Sequence, residues 1–313
     1  MIPVDPRGCA GKIIDIHGQK GVAWLAALPA LLADVATRWS LAVGPPFPEL
    51  SYNYVAPVVG PGGEAWVLKA GVPNRELTDE AAALRLFDGR GIARLIDADT
   101  ERGVLLLERV LPGEPLKDVA GDDTRVRIVA GLIGELPRPL PVGRSPAAER
   151  SPTAAQPFRT IADLARGLDR LRQTFDGGYG PFPARRVERA AALFAELADG
   201  PPRLIHGDMN PGNVLRATRA PWLAIDPKGY AGDPLFDVAT FLNDPPAGLA
   251  ADDLRRLQAR RVALFAEVLG QPRAAVLAWA EAHAVLSGWW SYEDHGRGWE
   301  GVLALAALYE ALG

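Results

Sequence analysis

Residues 204–215 read LIHGDMNPGNVL and residues 222–228 read WLAIDPK, and these two stretches decide how the rest of the chain is read. Asp208 precedes Asn213 by five positions, and Asp226 follows Asp208 by eighteen, at the end of an apolar run. Taken alone, HGD is also a turn sequence, with Asp208 bonding local backbone and Asn213 beside a glycine. Together, and flanked by strand-like apolar residues, the fragments supply two carboxylates and an amide oxygen. Those are hard oxygen donors of the kind Mg²⁺ takes. Phosphoryl transfer from a nucleotide needs such ligands, a carboxylate beside the acceptor hydroxyl and positive charge at the phosphates, because the protein mostly positions reactants and neutralises charge.

The five-residue spacing matches the catalytic loop HRDxxxxN, in which the Asp is the base and the Asn a metal ligand, and Asp226 then takes the place of the metal-binding Asp of the DFG element. A lysine is the next requirement. Of five lysines, at 12, 20, 69, 117 and 228, only Lys69 lies inside an apolar strand-like run, AWVLKA at 65–70. A charge among Val, Leu and Ala wants a partner, and Glu80 on the following helix is the first choice, Glu76 the second. The other reading of Lys69 is an edge-strand side chain snorkelling to water. The smaller lobe ends in LLLERVLPGEP, which reads either as a plain interlobe linker or as an adenine pocket whose backbone groups at Glu108 and Val110 meet the ring. No GxGxxG precedes the lysine strand. GPPFPELSYN stands there instead, so phosphate covering falls to another loop, with Ser51 or Asn53 as candidates.

Composition narrows the partners. The 313 residues carry 34 Lys plus Arg against 38 Asp plus Glu, a formal charge of −4, which disfavours a nucleic-acid partner and suits a cationic small substrate. A single cysteine, Cys9, excludes an intramolecular disulfide and Cys-based zinc sites, and the histidines at 17, 206, 283 and 295 show no metal-ligand spacing. The start, MIPVDPRGCAGKIIDIHG, lacks the basic and apolar regions of a secretory signal. Residues 22–43 contain Pro29, Asp34 and Arg38 and fall short of a membrane span. A cytoplasmic protein without membrane attachment is expected.

Working outward, Trp24, Leu28, Leu31, Leu32, Val35 and Trp39 recur at helical spacing, with a kink expected at Pro29. SYNYVAPVVG and EAWVLKAG, joined through GPGG, read as a hairpin. A helix capped by Asn74 or Thr78 runs to Gly89, and IARLIDAD with GVLLLERV forms a second strand pair. LPGEP reads as a linker, since two prolines and a glycine interrupt every period. Helices are expected over 123–136, 158–175, 184–198, 235–243, 251–269, 272–289 and 298–312, with a mobile loop at 137–157. The fold class is α+β. Residues 1–110 form a small αβ lobe with its preceding helix, and residues 111–313 a larger, mainly helical lobe.

HGDMNPGNVL followed by IDPKGYAGDPLFDVATFL resembles the aminoglycoside phosphotransferase family, in the branch of streptomycin 6-phosphotransferases and hydroxyurea kinases, over about Trp24 to Leu312. The resemblance implies a two-lobed protein-kinase-like fold with ATP or GTP and Mg²⁺ between the lobes. It makes Asp208 the catalytic base, Asn213 and Asp226 the metal ligands, and Lys69 with Glu80 the ion pair that holds nucleotide phosphate. It puts Asp237 where the family braces its catalytic loop, although Asp237 also reads as a helix N-terminal cap. Lys228 falls in the IDPKG of this branch, either on substrate phosphate or in a surface ion pair. His206 reads as orienting the catalytic loop. For the acceptor, GWWSYEDHGRGWEG at 288–301 offers carboxylates among aromatics, suited to a guanidinium or ammonium sugar. Glu293 and Asp294, in a turn-like break between two helices, are preferred to the tryptophans, which read as core. The expected activity is ATP-dependent phosphorylation of an aminoglycoside hydroxyl, streptomycin first, conferring antibiotic resistance. A kinase of hydroxyurea or of a metabolite alcohol is the alternative within catalysis, and a nucleotide-binding pseudokinase the alternative outside it.

Overall fold

The computed structural model describes residues 7–48, 50, 52–140, 158–197 and 203–313. Ser51, one of the two phosphate-loop candidates, and residues 141–157 of the expected loop lie outside them. The chain divides into two compact units, one made of the residues up to Gly113 together with Arg216–Leu223, the other of Glu114–Leu215 and Ala224–Gly313. A boundary drawn along the sequence leaves out the short 216–223 segment, which belongs with the first unit.

The first unit is a five-stranded antiparallel sheet between two helices. Helix α1 (Arg7–Arg38) precedes β1 (Ala42–Val43), β2 (Tyr54–Val59) and β3 (Ala65–Ala70); α2 (Arg75–Phe87) then precedes β4 (Leu95–Asp99) and β5 (Val104–Glu108). Strand order is β1-β2-β3-β5-β4. Alternation along the strands sorts the side chains between the two faces. Tyr54, Ala56, Val58, Leu68, Ala70, Val104 and Leu106 pack with Cys9, Ile13, Trp24, Leu28, Leu32 and Val35 of α1. Each fully buried aliphatic side chain there is worth roughly 1.5–3 kcal/mol relative to exposure. By length and composition Cys9–Arg38 would suffice to cross a membrane, yet its apolar stripe is the core face of this sheet. Non-helical dihedrals in α1 fall at Gly18, at φ 53°, and not at Pro29. On the opposite face Leu105 meets Leu77 and Ala81 of α2. Lys69 pairs in register with Leu105, so it projects to that same α2 side.

In the rest of the chain the strands are short and the helices dominate. LPGEP is not an irregular linker: Pro112–Pro115 is strand β6, at the edge of a sheet ordered β10-β9-β6 with β9 (Val214–Ala217) and β10 (Trp222–Ala224). An edge position tolerates prolines because their missing donors face no partner strand. A further sheet, β11-β8-β7, joins Tyr230–Gly232, Arg203–Ile205 and Arg138–Pro139. The expected helix at 158–175 is two: α4 (Ile161–Ala165), with a Thr160–Asp163 capping box, and α5 (Gly167–Thr174). The remaining helices are α3 (Asp122–Glu135), α6 (Ala184–Leu197), α7 (Leu235–Leu242), α8 (Ala251–Leu269), α9 (Arg273–His295) and α10 (Trp299–Leu312). Helix α9 is the hub, packed against α5, α6, α7, α8 and α10. Its Trp279 stands edge-on between Phe194 of α6 and Phe236 of α7.

Helix α9 extends six residues past the expected end. Gly288, inside the helix, faces α10, where an added Cβ would lie 3.5 Å from the Trp299 carbonyl oxygen. The helix ends at Gly296, at φ 64°, a left-handed position that glycine takes without strain. Glu293 and Asp294 therefore occupy its last turn and not a break between helices.

His283 of α9 is buried, and its ring sets a pH dependence. Asn243 Nδ2 donates to the Ala280 carbonyl at 3.2 Å and to His283 Nδ1 at 2.9 Å, so Nδ1 accepts and the proton sits on Nε2. Burial holds the imidazole pKa down to about 4. A depressed folded value means that stability is present above the unfolded value near 6.5 and is lost as pH falls toward 4. Thermal melts across that window are expected to show His283→Gln losing about 3 kcal/mol less than the parent, at 1.36 kcal/mol per pKa unit. Parallel pH curves for the two proteins would assign the acid loss to other groups.

Candidate active site

The first unit carries a buried ion pair. Lys69 Nζ lies 2.9 and 2.7 Å from the two carboxylate oxygens of Glu80, with both side chains buried. Glu76, one helical turn earlier, is exposed. The pairing follows from periodicity: Glu80 sits between Leu77 and Ala81 on the inner face of α2, opposite the sheet face that carries Lys69. Asn74 caps α2 by accepting from the Leu77 N–H at 3.0 Å, which fixes where that face begins. Asn53 stands beside Gly71, so close that a Cβ there would strike its amide oxygen. At the end of β5, the Glu108 side chain is engaged by Arg219 and by the Arg94 N–H.

In the second unit the loop after β8 carries Asp208 and Asn213. Both amides near Asp208 donate to its carboxylate: Asn210 Nδ2 to Oδ1 at 3.1 Å and Asn213 Nδ2 to Oδ2 at 3.1 Å. Asn213 Nδ2 also donates to the Asp208 carbonyl at 3.0 Å, which leaves the Asn213 amide oxygen turned the other way. Asn210 Oδ1 accepts from the Gly212 and Asn213 N–H groups at 2.9 and 3.2 Å, shaping the single 3₁₀ turn that carries Asn213. Burial pushes the Asp208 carboxyl up to about 6, against the lowering effects of Lys228 and the two amides.

His206 ties this loop to the next. Its Nδ1 accepts from the Asp208 N–H at 3.2 Å, so Nε2 carries the proton donated to the Ile225 carbonyl at 2.9 Å, one residue before Asp226. Burial holds its pKa down to about 4, which keeps the ring neutral at physiological pH. The His206 carbonyl in turn accepts from the N–H groups of Lys228 and Gly229 at 2.8 and 3.1 Å. Gly207 has φ 85°, and an added Cβ would lie 2.6 Å from the Tyr230 ring, so only glycine fits between His206 and Asp208.

The two readings of Asp237 separate cleanly. Its carboxylate accepts from the His206 N–H at 3.0 Å and the Gly207 N–H at 2.6 Å, while the start of α7 is served by Asp233, which accepts from the Leu235 N–H at 2.7 Å. Asp237 braces the loop, and the first N–H of α7 is taken by Asp233. Burial pushes the Asp237 carboxyl up to about 7 against those two donors. Asn210 was not singled out by sequence reasoning. Its signal is the Asn-Pro-Gly turn inside the motif, a side chain able to accept from the backbone two and three residues on.

Asp226 has φ 62° and precedes Pro227, a combination few residues adopt, since proline disfavours compact conformations before it. The donor set fits Mg²⁺: one carboxylate and one amide oxygen, both hard, leaving positions for water and phosphate oxygens. Among the described residues no group of three or more His, Cys, Asp or Glu could hold a metal by itself.

At the end of α9, Glu293 is forked by Arg170 of α5, with both contacts at 2.9 Å. Trp289 is buried core, stacked on Tyr292 with centroids 5.9 Å apart, and Tyr292 also meets Phe175, Phe182 and Trp299. These rings are occupied with one another. Asp294 is exposed, its carboxyl raised by burial of its inner side, with Glu293 adding to the rise.

Fold comparison gives the class. Choline kinase LicA from Streptococcus pneumoniae superposes with a TM-score of 0.61 at 13% identity, covering 91% of this chain and 99% of that one. The fold is that of the protein-kinase-like small-molecule phosphotransferases. A family model described as aminoglycoside/hydroxyurea antibiotic resistance kinase matches residues 38–295, and the chain belongs to this family. Curated relatives include a streptomycin 6-kinase of Streptomyces glaucescens, 33% identical over 92% of this chain and 91% of the relative. A hydroxyurea phosphotransferase of Kitasatospora aureofaciens is 35% identical over 88% of this chain and 77% of its own length. The chain is an enzyme, a kinase of small molecules.

Proposed function

We propose that the protein transfers the γ-phosphoryl group of ATP to a hydroxyl of a streptomycin-type aminoglycoside and so confers resistance to it. The observation that carries the chemistry is the Asp208 carboxylate held between two amide donors, Asn210 and Asn213, on a loop braced by Asp237. Asp208 accepts the acceptor hydroxyl's proton as its oxygen bonds to the γ-phosphorus and the bond to the β–γ bridging oxygen breaks, releasing ADP. A carboxyl raised to about 6 is matched to that task near neutral pH. Asn213 Oδ1 and Asp226 would hold Mg²⁺, which would supply positive charge to neutralise the negative charge that develops on the transferred phosphoryl group. Lys69 contacts nucleotide phosphate and Glu80 orients it; Glu108 and Val110 offer backbone groups to the base, and Asn53 borders the phosphate side. Lys228 lowers the Asp208 pKa and adds positive charge beside the transferred group.

The acceptor follows the streptomycin 6-kinase relatives and the carboxylates at the end of α9. Glu293 and Asp294 take the cationic groups of the sugar, with the Arg170 guanidinium standing on Glu293 in the place a substrate guanidinium would take. Hydroxyurea is the second reading, favoured by that same pair, since Arg170 already neutralises Glu293.

One panel tests both. Parent and Arg170→Gln, given Mg·ATP with streptomycin, other aminoglycosides and hydroxyurea, are read by the mass gain of one phosphoryl group. Streptomycin is expected to be modified, and freeing Glu293 to lower its KM roughly tenfold, the order of one charge-assisted hydrogen bond. An unchanged KM removes Glu293 from the acceptor site. Modification of hydroxyurea alone moves the assignment to the second reading, and no product from any member moves it to a metabolite alcohol.

A further inference from the structure

The strongest unassigned cluster is built on Arg219, at the tip of the hairpin formed by β9 and β10. In the chain, β9 starts directly after Asn213 and β10 leads into Asp226. The Arg219 guanidinium serves four acceptors: Glu108 Oε1 at 2.7 Å, Glu108 Oε2 at 2.8 Å, the Gly89 carbonyl at 2.6 Å and the Ile92 carbonyl at 2.5 Å. Glu108 Oε2 also accepts from the Arg94 N–H at 2.9 Å, and the Glu108 N–H donates to the Arg94 carbonyl at 2.9 Å. All of these residues belong to the first unit.

The arrangement is more than a surface ion pair. The Arg219 and Glu108 side chains are only 26% and 20% exposed, which limits screening by water. Burial alone would raise the Glu108 carboxyl, but the Arg219 and Arg94 contacts outweigh it and hold it below the ordinary value. A planar guanidinium meets a carboxylate and two carbonyls at once, a task for which a lysine point charge has the wrong shape. What it fixes is the end of β5, the point where the chain leaves the sheet toward Val110. Adenine presents an amino donor and a ring-nitrogen acceptor on its recognition edge, and guanine presents the opposite pair. A linker that slips by one peptide group swaps a carbonyl for an N–H against that edge. A linker held still therefore discriminates, because a mismatched purine leaves polar groups unpaired.

We propose that Arg219 is a positioning residue for nucleotide recognition: by gripping Glu108 it fixes the Glu108–Val110 segment against the purine edge and sets the choice between ATP and GTP. This rests on the reading of that segment as the base contact. The test is calorimetric titration of parent, Arg219→Ala, Arg219→Lys and Glu108→Gln with Mg·ADP and Mg·GDP, which needs no acceptor. The parent is expected to prefer one purine. Arg219→Ala and Arg219→Lys should each cut the ratio of the two dissociation constants at least tenfold, and Glu108→Gln, a milder and isosteric change, should cut it severalfold. A merely structural role would lower the melting temperature and leave the ratio where it was. Parent discrimination that survives in all folded variants overturns the proposal while leaving the base-contact reading in place. A parent that binds neither nucleotide, or both equally, overturns the base-contact reading and the proposal together.

Discussion

Asp208→Asn is expected to lower turnover roughly 10²- to 10⁴-fold, the range a positioned general base supplies. The carboxylate offers two acceptor oxygens, and both are engaged by amide donors, from Asn210 and Asn213. An asparagine there keeps one oxygen and replaces the other by an NH₂ group, so it cannot take the hydroxyl proton and one of the two amides loses its acceptor. The loop itself should persist, because its backbone is held from elsewhere, by Asp237 at His206 and Gly207 and by Asn210 at Gly212 and Asn213. Loss should therefore fall on kcat, with the nucleotide dissociation constant within a few-fold of the parent. Turnover within threefold of the parent would remove Asp208 from the role.

Replacing Asp226 should abolish Mg²⁺-dependent protection by nucleotide. A ligand at a hundred times its dissociation constant adds about 2.7 kcal/mol to apparent stability, and a protein without its metal ligand forfeits that gain. Two substitutions make the test clean. Asp226 has φ 62°, a conformation glycine enters freely and alanine does not. Asp226→Gly is expected to be more stable than Asp226→Ala by roughly 1 kcal/mol without ligand, while both show no added melting shift with Mg·ATP. A parent-like shift in either variant would take the metal away from Asp226.

Much of this was legible because chemistry and periodicity coincide. A lysine in an apolar strand points to one face, and a glutamate flanked by Leu77 and Ala81 points back at it, so Lys69 and Glu80 could be matched from spacing alone. The same holds for the strand pairs of the first unit and for most helices of the second. What sequence could not supply was competition among partners. Glu293 reads as a carboxylate for a substrate until Arg170, 123 residues away in the chain, is seen on it. Asp237 reads equally as cap and brace until Asp233 takes the first task. Glu293 and Asp294 read as a break between helices, yet α9 runs on to His295 and stops only at the left-handed Gly296. Pro112 and Pro115 read as punctuation, yet an edge strand admits them.

The place of α1 bears on how the protein can be handled. The family correspondence begins at residue 38, at the last residue of α1, yet α1 supplies half of the apolar layer that closes the sheet. A fragment cut to the family boundary would lay open the face carrying Tyr54, Leu68 and Leu106 on a sheet whose edge strands β1 and β4 each have a neighbour on one side only. Exposed apolar faces beside unpaired edges invite strand-to-strand association. The helix that lies outside the family match is thus the element that covers the apolar face of the first unit's sheet.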